Sequence, residues 1–461
     1  MKICGVILAA GLGKRMNSSQ PKVLHRILGK PMISYSMDCL SETSNVEKTV
    51  VVISHHTEGI KDIAKDGSVE FVYQKEPLGT ADALKAAVNS INDSYDLIVV
   101  VTGDTPLIKS KTLENVIKFH VNKGNDLTVV TFDASVPAAY GRIVRSMVDN
   151  EISRIVEHND ASEEVKSITE VNSGFYVISS AVMPLLEKIG KNEKNGEYYL
   201  TDIVELSIKE KLKTAAFKAD NEKEFLGINS RQELLTAQRV MQRDIAELWM
   251  GNGVTLMDID SVFISPGVTI GKDTVVYPNV VIEGDTHIGS NCTIYPNVRL
   301  LDTVLEDGVV IKDSTVVEKS KILTDSAIGP FAHIRPGSVI GPKGKIGNFV
   351  EIKNSQIGYN SKASHLTYIG DSELGTDINI GAGTITCNYD GKNKHKTVIK
   401  DGVFIGSGTQ LVAPVTINKN ATVGAGSTIT KDVPEDTLAV ARSKQQHIAG
   451  WTLKKRPAKG E

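Results

Sequence analysis

Hydrophobic and polar positions follow two different rhythms along this chain. In the first half, short β-branched runs alternate with stretches of helical spacing, which predicts strands at 3–8, 49–53, 69–73 and 96–101 and helices at 80–91 and 111–121. That alternation belongs to an open, mostly parallel α/β sheet, a design that binds ligands at the carboxyl ends of its strands. A capping-box pattern, Ser230-Arg231-Gln232-Glu233, then opens a run in which Leu234, Ala237, Met241, Ile245 and Leu248 recur at helical spacing, and Gly251 and Gly253 close it. The chain is accordingly divided into an α/β domain over 1–229, a linker helix over 230–250 and a second domain over 251–461.

Beyond the helix the period becomes six. Ile264, Ile270, Val276, Ile282, Ile288, Ile294 and Leu300 keep one register. Val304, Val310, Val316, Ile322, Ile328, Ile334, Ile340, Ile346 and Ile352 keep a second, and Ile399, Ile405, Leu411, Ile417, Val423 and Ile429 a third. An α-helix cannot hold a sixfold repeat on one face, whereas stacked triangular coils with one hexapeptide per side can, so the second domain reads as a parallel β-helix. Breaks at about 353–368 and 381–398 predict loops that leave the coils, and loops on a rigid scaffold are where chemistry tends to sit. Three such prisms would pack by their flat sides about a threefold axis, which predicts a homotrimer with its second site built between chains.

Composition narrows the function. With 52 Lys and Arg against 55 Asp and Glu the net charge is −3, which excludes a polyanion-binding basic protein, and 41% hydrophobic residues exclude a disordered chain. Cys4, Cys39, Cys292 and Cys387 are far apart and contain no C-x-x-C pair, which favours reduced thiols over disulfides or a zinc knuckle. The apolar run 3–10 resembles the start of a secretory signal but leads into Lys14 and Arg15, where a small-residue cleavage site would be needed. The expectation is a soluble, cytoplasmic protein acting on small molecules, with no nucleic-acid partner and no membrane insertion. The basic tail Lys454-Lys455-Arg456 reads as a solvated segment.

The first predicted strand runs into Leu8-Ala9-Ala10-Gly11-Leu12-Gly13-Lys14-Arg15-Met16, with Pro21-Lys22 downstream. A dinucleotide fingerprint needs glycine where Met16 stands, and a P-loop needs Ser or Thr where Arg15 stands, so both fail. What remains is a small-residue turn whose backbone N–H groups can cradle phosphate, with Arg15 and Lys22 to neutralise its charge. Asp104 closes another predicted strand within Thr102-Gly103-Asp104-Thr105-Pro106, a position suited to holding Mg²⁺ against phosphates. The Leu-Ala-Ala-Gly-x-Gly-x-Arg-Met string with its Pro-Lys resembles the signature of the sugar-1-phosphate nucleotidylyltransferases. That resemblance implies a Rossmann-like sheet and a substrate site containing Leu8, Ala9, Ala10, Gly11, Lys22, Gln74, Gly79, Thr80, Thr102, Gly103, Asp104, Gly141, Glu157, Asn172 and Asn229. It adds Asn229 to Asp104 as a metal ligand. Thr102 departs from the pattern, since close relatives often carry Tyr there.

The two register breaks hold Lys353, Ser364-His365-Leu366-Thr367-Tyr368 and the run Asn379 to Gly391. Acyl transfer to an amine needs a base, and histidine has a suitable range for that task. Hexapeptide β-helices resemble the left-handed β-helices of acyltransferases. The whole chain resembles the bifunctional N-acetylglucosamine-1-phosphate uridylyltransferase/glucosamine-1-phosphate N-acetyltransferase family, whose Gly-His-Leu-Thr-Tyr string is matched here except for Ser364. The resemblance implies His365 as proton acceptor, and Arg335, Lys353, Tyr368 and Asn379 on the amino-sugar phosphate. It places Ala382, Asn388, Tyr389, Ser407, Ala425 and Arg442 at acetyl-CoA, with UTP as the other co-substrate. The alternative is a single-activity nucleotidylyltransferase whose β-helix is structural or regulatory.

Overall fold

The structure, a computed structural model, describes residues 1–454 apart from 12, 65, 66, 68, 92–94 and 138, and the backbone alone of Lys14. It separates into two compact units, Met1–Met241 and Gln242–Glu461. Among the described residues no helix is long and apolar enough to cross a membrane.

The first unit is built on a nine-stranded sheet in which Ile3–Leu8 lies between Leu97–Thr102 and Val46–Ile53, parallel to both. Glu70–Tyr73 extends the sheet beyond Val46–Ile53, while Glu170–Ser179 pairs antiparallel with Leu97–Thr102. The central strands are buried on both faces, which is why they read as unbroken apolar runs. Ile3 and Ile7 enter one core, with Ile33 and Leu40, and Cys4 and Val6 enter the other, with Leu84 and Ile203. Helices Thr80–Val88 and Ser110–Lys123 occupy the predicted segments, the first stopping three residues short and the second closed by Gly124 in the left-handed region at φ 61°. All four cysteines are free thiols, and burial pushes those of Cys4 and Cys39 up to about 12.

The long helix spans Arg231–Gly251. Ser230 caps it, its hydroxyl accepting from the Glu233 N–H at 3.2 Å, but the reciprocal arm of the expected capping box differs: Glu233 takes the N–H of Asn229 at 2.6 Å. Ala237 and Met241 are buried as the spacing predicts, whereas Leu248 is 57% exposed. Toward the C-terminal end Ile245 and Trp249 face the core of the second unit in its place.

The second unit is a parallel β-helix whose three walls are sheets of eleven, ten and nine short strands. Its core is a column of aliphatic side chains from the wall strands, joined on many sides by a second buried residue two positions earlier, as with Val268 before Ile270 and Val298 before Leu300. The second predicted register needs correction. Leu305, Ile311 and Val317 are buried, and their neighbours Val304, Val310 and Val316 sit half-exposed. Each is an adjacent aliphatic pair, and strand alternation lets only one member point inward. The column therefore takes five-residue steps at 300→305, 317→322, 352→357 and 369→374, and across such a step coils align seventeen positions apart, as in His287 to Val304, instead of eighteen, as in Thr269 to His287. The expected loop at 353–368 is one of these shortened sides. It stays in the walls, with strands Glu351–Lys353, Gln356–Ile357, Lys362–His365 and Tyr368–Gly370. Only the second break leaves the prism, between Ile385–Cys387 and Thr397–Ile399, where Tyr389 and Lys394 form an antiparallel bridge. Several corners take Asn or Asp in the left-handed region, but Phe331, Phe349 and Leu366 also sit there, at φ 53°, 57° and 46°, with 53%, 56% and 61% of their surface exposed.

The corrected register makes a direct prediction. Ile311→Ala should cost about 2–5 kcal/mol in the unfolding of the β-helix by leaving a cavity in the column. Val310→Ala should stay within about 1 kcal/mol. Denaturant titration of the two variants reads the difference, and equal losses would mean the inward register is misassigned.

Candidate active sites

In the first unit, pairing of Leu8 with Thr102 sets the carboxyl ends of two neighbouring strands level, so the 9–16 turn and the Gly103-Asp104 turn leave the sheet side by side. The Gly103 N–H donates to the Leu8 carbonyl at 3.0 Å, and the Ile228 N–H donates to the Asp104 carbonyl at 3.0 Å, which draws Asn229 to the same place. Gly13 is in the left-handed region at φ 61°, and a Cβ there would meet the Lys22 Cβ at 2.5 Å, so glycine lets the turn close on the lysine. Lys22 Nζ ion-pairs with Asp104 and donates to Asn229 Oδ1 at 2.9 Å. Burial disfavours the Asp104 carboxylate, yet the Lys22 ammonium and the Thr102 hydroxyl hold its carboxyl below the usual range.

Two oxygen donors, one carboxylate and one amide, thus converge on a single cationic group. Such a donor set fits a hard divalent ion that completes its shell with phosphate oxygens and water. Among the described residues no group of three or more His, Cys, Asp or Glu side chains forms a self-sufficient metal cage. Arg15 stands exposed on the short turn Lys14–Met16; the Lys14 side chain and Leu12 lie outside the described residues. At the rim of the same sheet, Gln74 is buried and donates to the Gly79 carbonyl at 3.1 Å and to Asp82 at 2.8 Å, while the Thr80 hydroxyl accepts from the Leu200 N–H at 3.0 Å.

A second cluster forms where Glu170–Ser179 is irregular between Asn172 and Tyr176. The Asn172 N–H donates to the Gly141 carbonyl at 2.8 Å, its side chain donates to the Tyr176 hydroxyl at 2.9 Å, and a Cβ on Gly141 would lie 3.6 Å from the Glu157 carboxylate. Thr201 donates to Glu157 at 3.0 Å. Burial lifts the Glu157 carboxyl above the ordinary carboxylate range against that hydroxyl, helped by Asp202, Asp160 and Glu197. Gly141, Glu157 and Asn172 therefore offer neutral and acceptor groups suited to hydroxyls, apart from the corner that holds the Lys22 ammonium.

On the β-helix the site is assembled by stacking. Glu351 pairs with Tyr368 in the wall ladder, and Arg335 donates to Glu351 at 2.7 Å. Lys353 follows on the same strand, and the side chain of Lys394, carried on the excursion, reaches it: hydrogen bonding and like charge hold the Lys353 ammonium below the ordinary lysine range. Two lysine side chains held together with Arg335 nearby favour an anion between them. Asp371 accepts from Asn354 at 2.6 Å and from Asn388 at 2.5 Å, fixing the buried Asn388 amide. His365 is exposed at the end of Lys362–His365, and Asn379 lies on the next strand of that wall. Ala382, Ser407 and Ala425 line up on successive coils: the Gly408 N–H donates to the Ala382 carbonyl at 2.7 Å, the Gly426 N–H to the Ser407 carbonyl at 2.8 Å, and Arg442 to the Ala425 carbonyl at 2.5 Å. Tyr389 projects from the excursion, 61% exposed.

Asn348, Glu351, Asp371 and Lys394 were absent from the sequence-derived set. Asn348, Glu351 and Asp371 are each found by stepping seventeen positions from a residue in that set, His365, Tyr368 and Asn388 respectively, but only once the shortened sides are known. Lys455 and Arg456 of the tail lie outside the described residues.

Comparison with known proteins agrees with both halves. The nucleotidyl transferase family matches residues 4–252, the GMPPB C-terminal domain matches 259–338, and the bacterial transferase hexapeptide family matches 396–431, whose repeats make the β-helix left-handed. The chain is 50% identical to the bifunctional protein GlmU of Thermodesulfovibrio yellowstonii over 98% of its length and 99% of that protein's. It is 46% identical to the bifunctional protein GlmU of Syntrophotalea carbinolica, covering 99% and 98%, and 43% identical to that of Clostridioides difficile, covering 99% and 98%. A two-part chain matched from end to end at these identities belongs to the bifunctional GlmU family of nucleotidyl and hexapeptide transferases.

Proposed function

We propose that the chain makes UDP-N-acetylglucosamine in two steps on two separate units, acetylating glucosamine 1-phosphate and then transferring uridylyl from UTP to the product. The observation that carries the reading is the convergence of Lys22, Asp104 and Asn229 at the ends of two parallel strands. In the uridylyl step an oxygen of the sugar phosphate attacks the α-phosphorus of UTP, and the bond to the β-phosphate breaks to release pyrophosphate. The nucleophile is already ionised, so the residues have only to position it and neutralise charge. Arg15 and Lys22 serve that role on the phosphates, and Glu157 and Asn172 hold the sugar. Asp104 and Asn229 would hold Mg²⁺, which when bound supplies neutralisation of the phosphate oxygens.

In the acetyl step the neutral amine attacks the thioester carbonyl of acetyl-CoA. A C–N bond forms, the C–S bond breaks, and His365 takes the proton from nitrogen and returns it to the departing thiolate. Arg335, Lys353, Tyr368 and Asn379, joined by Lys394, hold the amino-sugar phosphate, and the ladder Ala382, Ser407, Ala425 with Asn388, Tyr389 and Arg442 takes the coenzyme. The domain assignment is 1–229 for uridylyl transfer and 251–461 for acetyl transfer, joined by the helix. The working form is a cytoplasmic homotrimer. Its support is the stack of Phe331 on Phe349, with ring centroids 5.5 Å apart, continued by Leu366: bulky residues in a left-handed conformation, exposed beside His365, form an apolar strip that a second copy would cover.

Two experiments test this. With the purified protein, Asp104→Asn should lower pyrophosphate release from UTP and N-acetylglucosamine 1-phosphate by about 100-fold or more while thiol release from acetyl-CoA continues. His365→Ala should do the reverse, by about 10²–10⁴-fold. Loss of both activities in either folded variant would refute two separate sites. Sedimentation should give three times the 49.8 kDa chain mass, and Phe349→Glu should shift it toward one. A monomeric wild-type chain would refute the trimer.

A further inference from the structure

Asn348 and His365 face each other across the ladder between Lys345–Asn348 and Lys362–His365. His365 Nδ1 lies 2.6 Å from Asn348 Oδ1. The closeness is built into the backbone. A Cβ on Gly347 would fall 1.9 Å from the Ser364 carbonyl oxygen, so only glycine allows the two coils to approach here. An amide oxygen accepts and cannot donate. A neutral imidazole facing it therefore carries its hydrogen on Nδ1 and keeps its lone pair on Nε2.

The charge at this point matters as much as the geometry. A carboxylate opposite Nδ1 would select the same tautomer but would also favour the protonated ring, which cannot accept a proton. The strands that meet at this edge, Lys345–Asn348, Lys362–His365 and Asn379–Ile380, bring Lys345 and Lys362 and no carboxylate. We infer that Asn348 is a positioning residue for acetyl transfer, its side-chain oxygen fixing the His365 tautomer and ring plane so that Nε2 receives the proton of the attacking amine. The inference rests on the acetyl-transfer reading of this unit. Asn348 touches no substrate in this account and acts through His365 alone.

The test follows thiol release from acetyl-CoA and glucosamine 1-phosphate across pH for full-length wild-type, Asn348→Ala, Asn348→Asp and His365→Ala proteins, with thermal unfolding checked for each. Asn348→Ala should lower kcat by about 10- to 100-fold with KM for both substrates within about twofold, because tautomer and orientation are lost and binding is not. Asn348→Asp should recover most of kcat at high pH, with the acidic limb of the profile moved up by about one pH unit. Asn348→Ala at wild-type kcat would overturn the inference. So would an Asn348→Asp protein impaired equally at every pH with its limb unmoved, the mark of a purely structural role. Should Asn348→Ala fail to fold, the Asn348→Asp profile decides alone. Thiol release surviving in His365→Ala would bring down the underlying assignment itself, whereas a dead His365→Ala beside an unimpaired Asn348→Ala would bring down only this inference.

Discussion

Hydrogen bonding between successive coils is the constraint on which the second unit depends. Backbone N–H groups of one coil donate to carbonyls of the next along each wall, as from Glu351 to Thr367 at 2.9 Å and from Lys362 to Ile378 at 2.8 Å. Away from the excursion and the last coil, a residue's neighbour above is thereby fixed at seventeen or eighteen positions along the chain, and the choice is made by whether a side of the triangle holds five residues or six. Two shortened sides, 352→357 and 369→374, flank the wall segment that carries His365. Their effect is to put Asn348 under His365, Glu351 under Tyr368, and Asp371 between Asn354 and Asn388. A rigid, ladder-bonded scaffold thus does for these side chains what a network of packed loops does in less regular enzymes.

The α/β unit reaches convergence by a different route. Its two central strands are parallel and level, so the turns that leave them share one edge, and the chain returns at Ile228 to close the gap. Three residues far apart in sequence, Lys22, Asp104 and Asn229, meet there. The Lys22 ammonium settles between the two oxygens because a buried carboxylate without a counter-charge would be costly. Glu157 sits in the opposite regime, lifted by burial among other carboxylates, so the unit separates a corner of paired opposite charges from one whose carboxyl is held toward its neutral form.

Much of this was legible in the chain before its fold. Apolar runs located the central strands, because strands buried on both faces leave little room for polar residues, and the sixfold spacing could only be a coil of triangular section. The failures share a physical origin. Val304, Val310 and Val316 are each followed by a second aliphatic residue, and local pattern cannot say which of the two points inward. A five-residue side looks in sequence like an interruption, which made 353–368 resemble a loop. Glu233 satisfies Asn229 instead of its own cap because the turn before the helix is held down at Asp104. Asn348 and Lys394 carry no motif: one is defined by a seventeen-residue offset and the other by an excursion that folds back on Lys353.

The central claim, that one chain runs both reactions and that the first prepares the substrate of the second, is tested most directly by a single time course. The protein is given glucosamine 1-phosphate, acetyl-CoA, UTP and Mg²⁺, with thiol and pyrophosphate followed together. The account predicts that thiol appears at once, that pyrophosphate follows after a lag, and that leaving out acetyl-CoA abolishes pyrophosphate release. Pyrophosphate released at full rate without acetyl-CoA, or without any thiol, would contradict it.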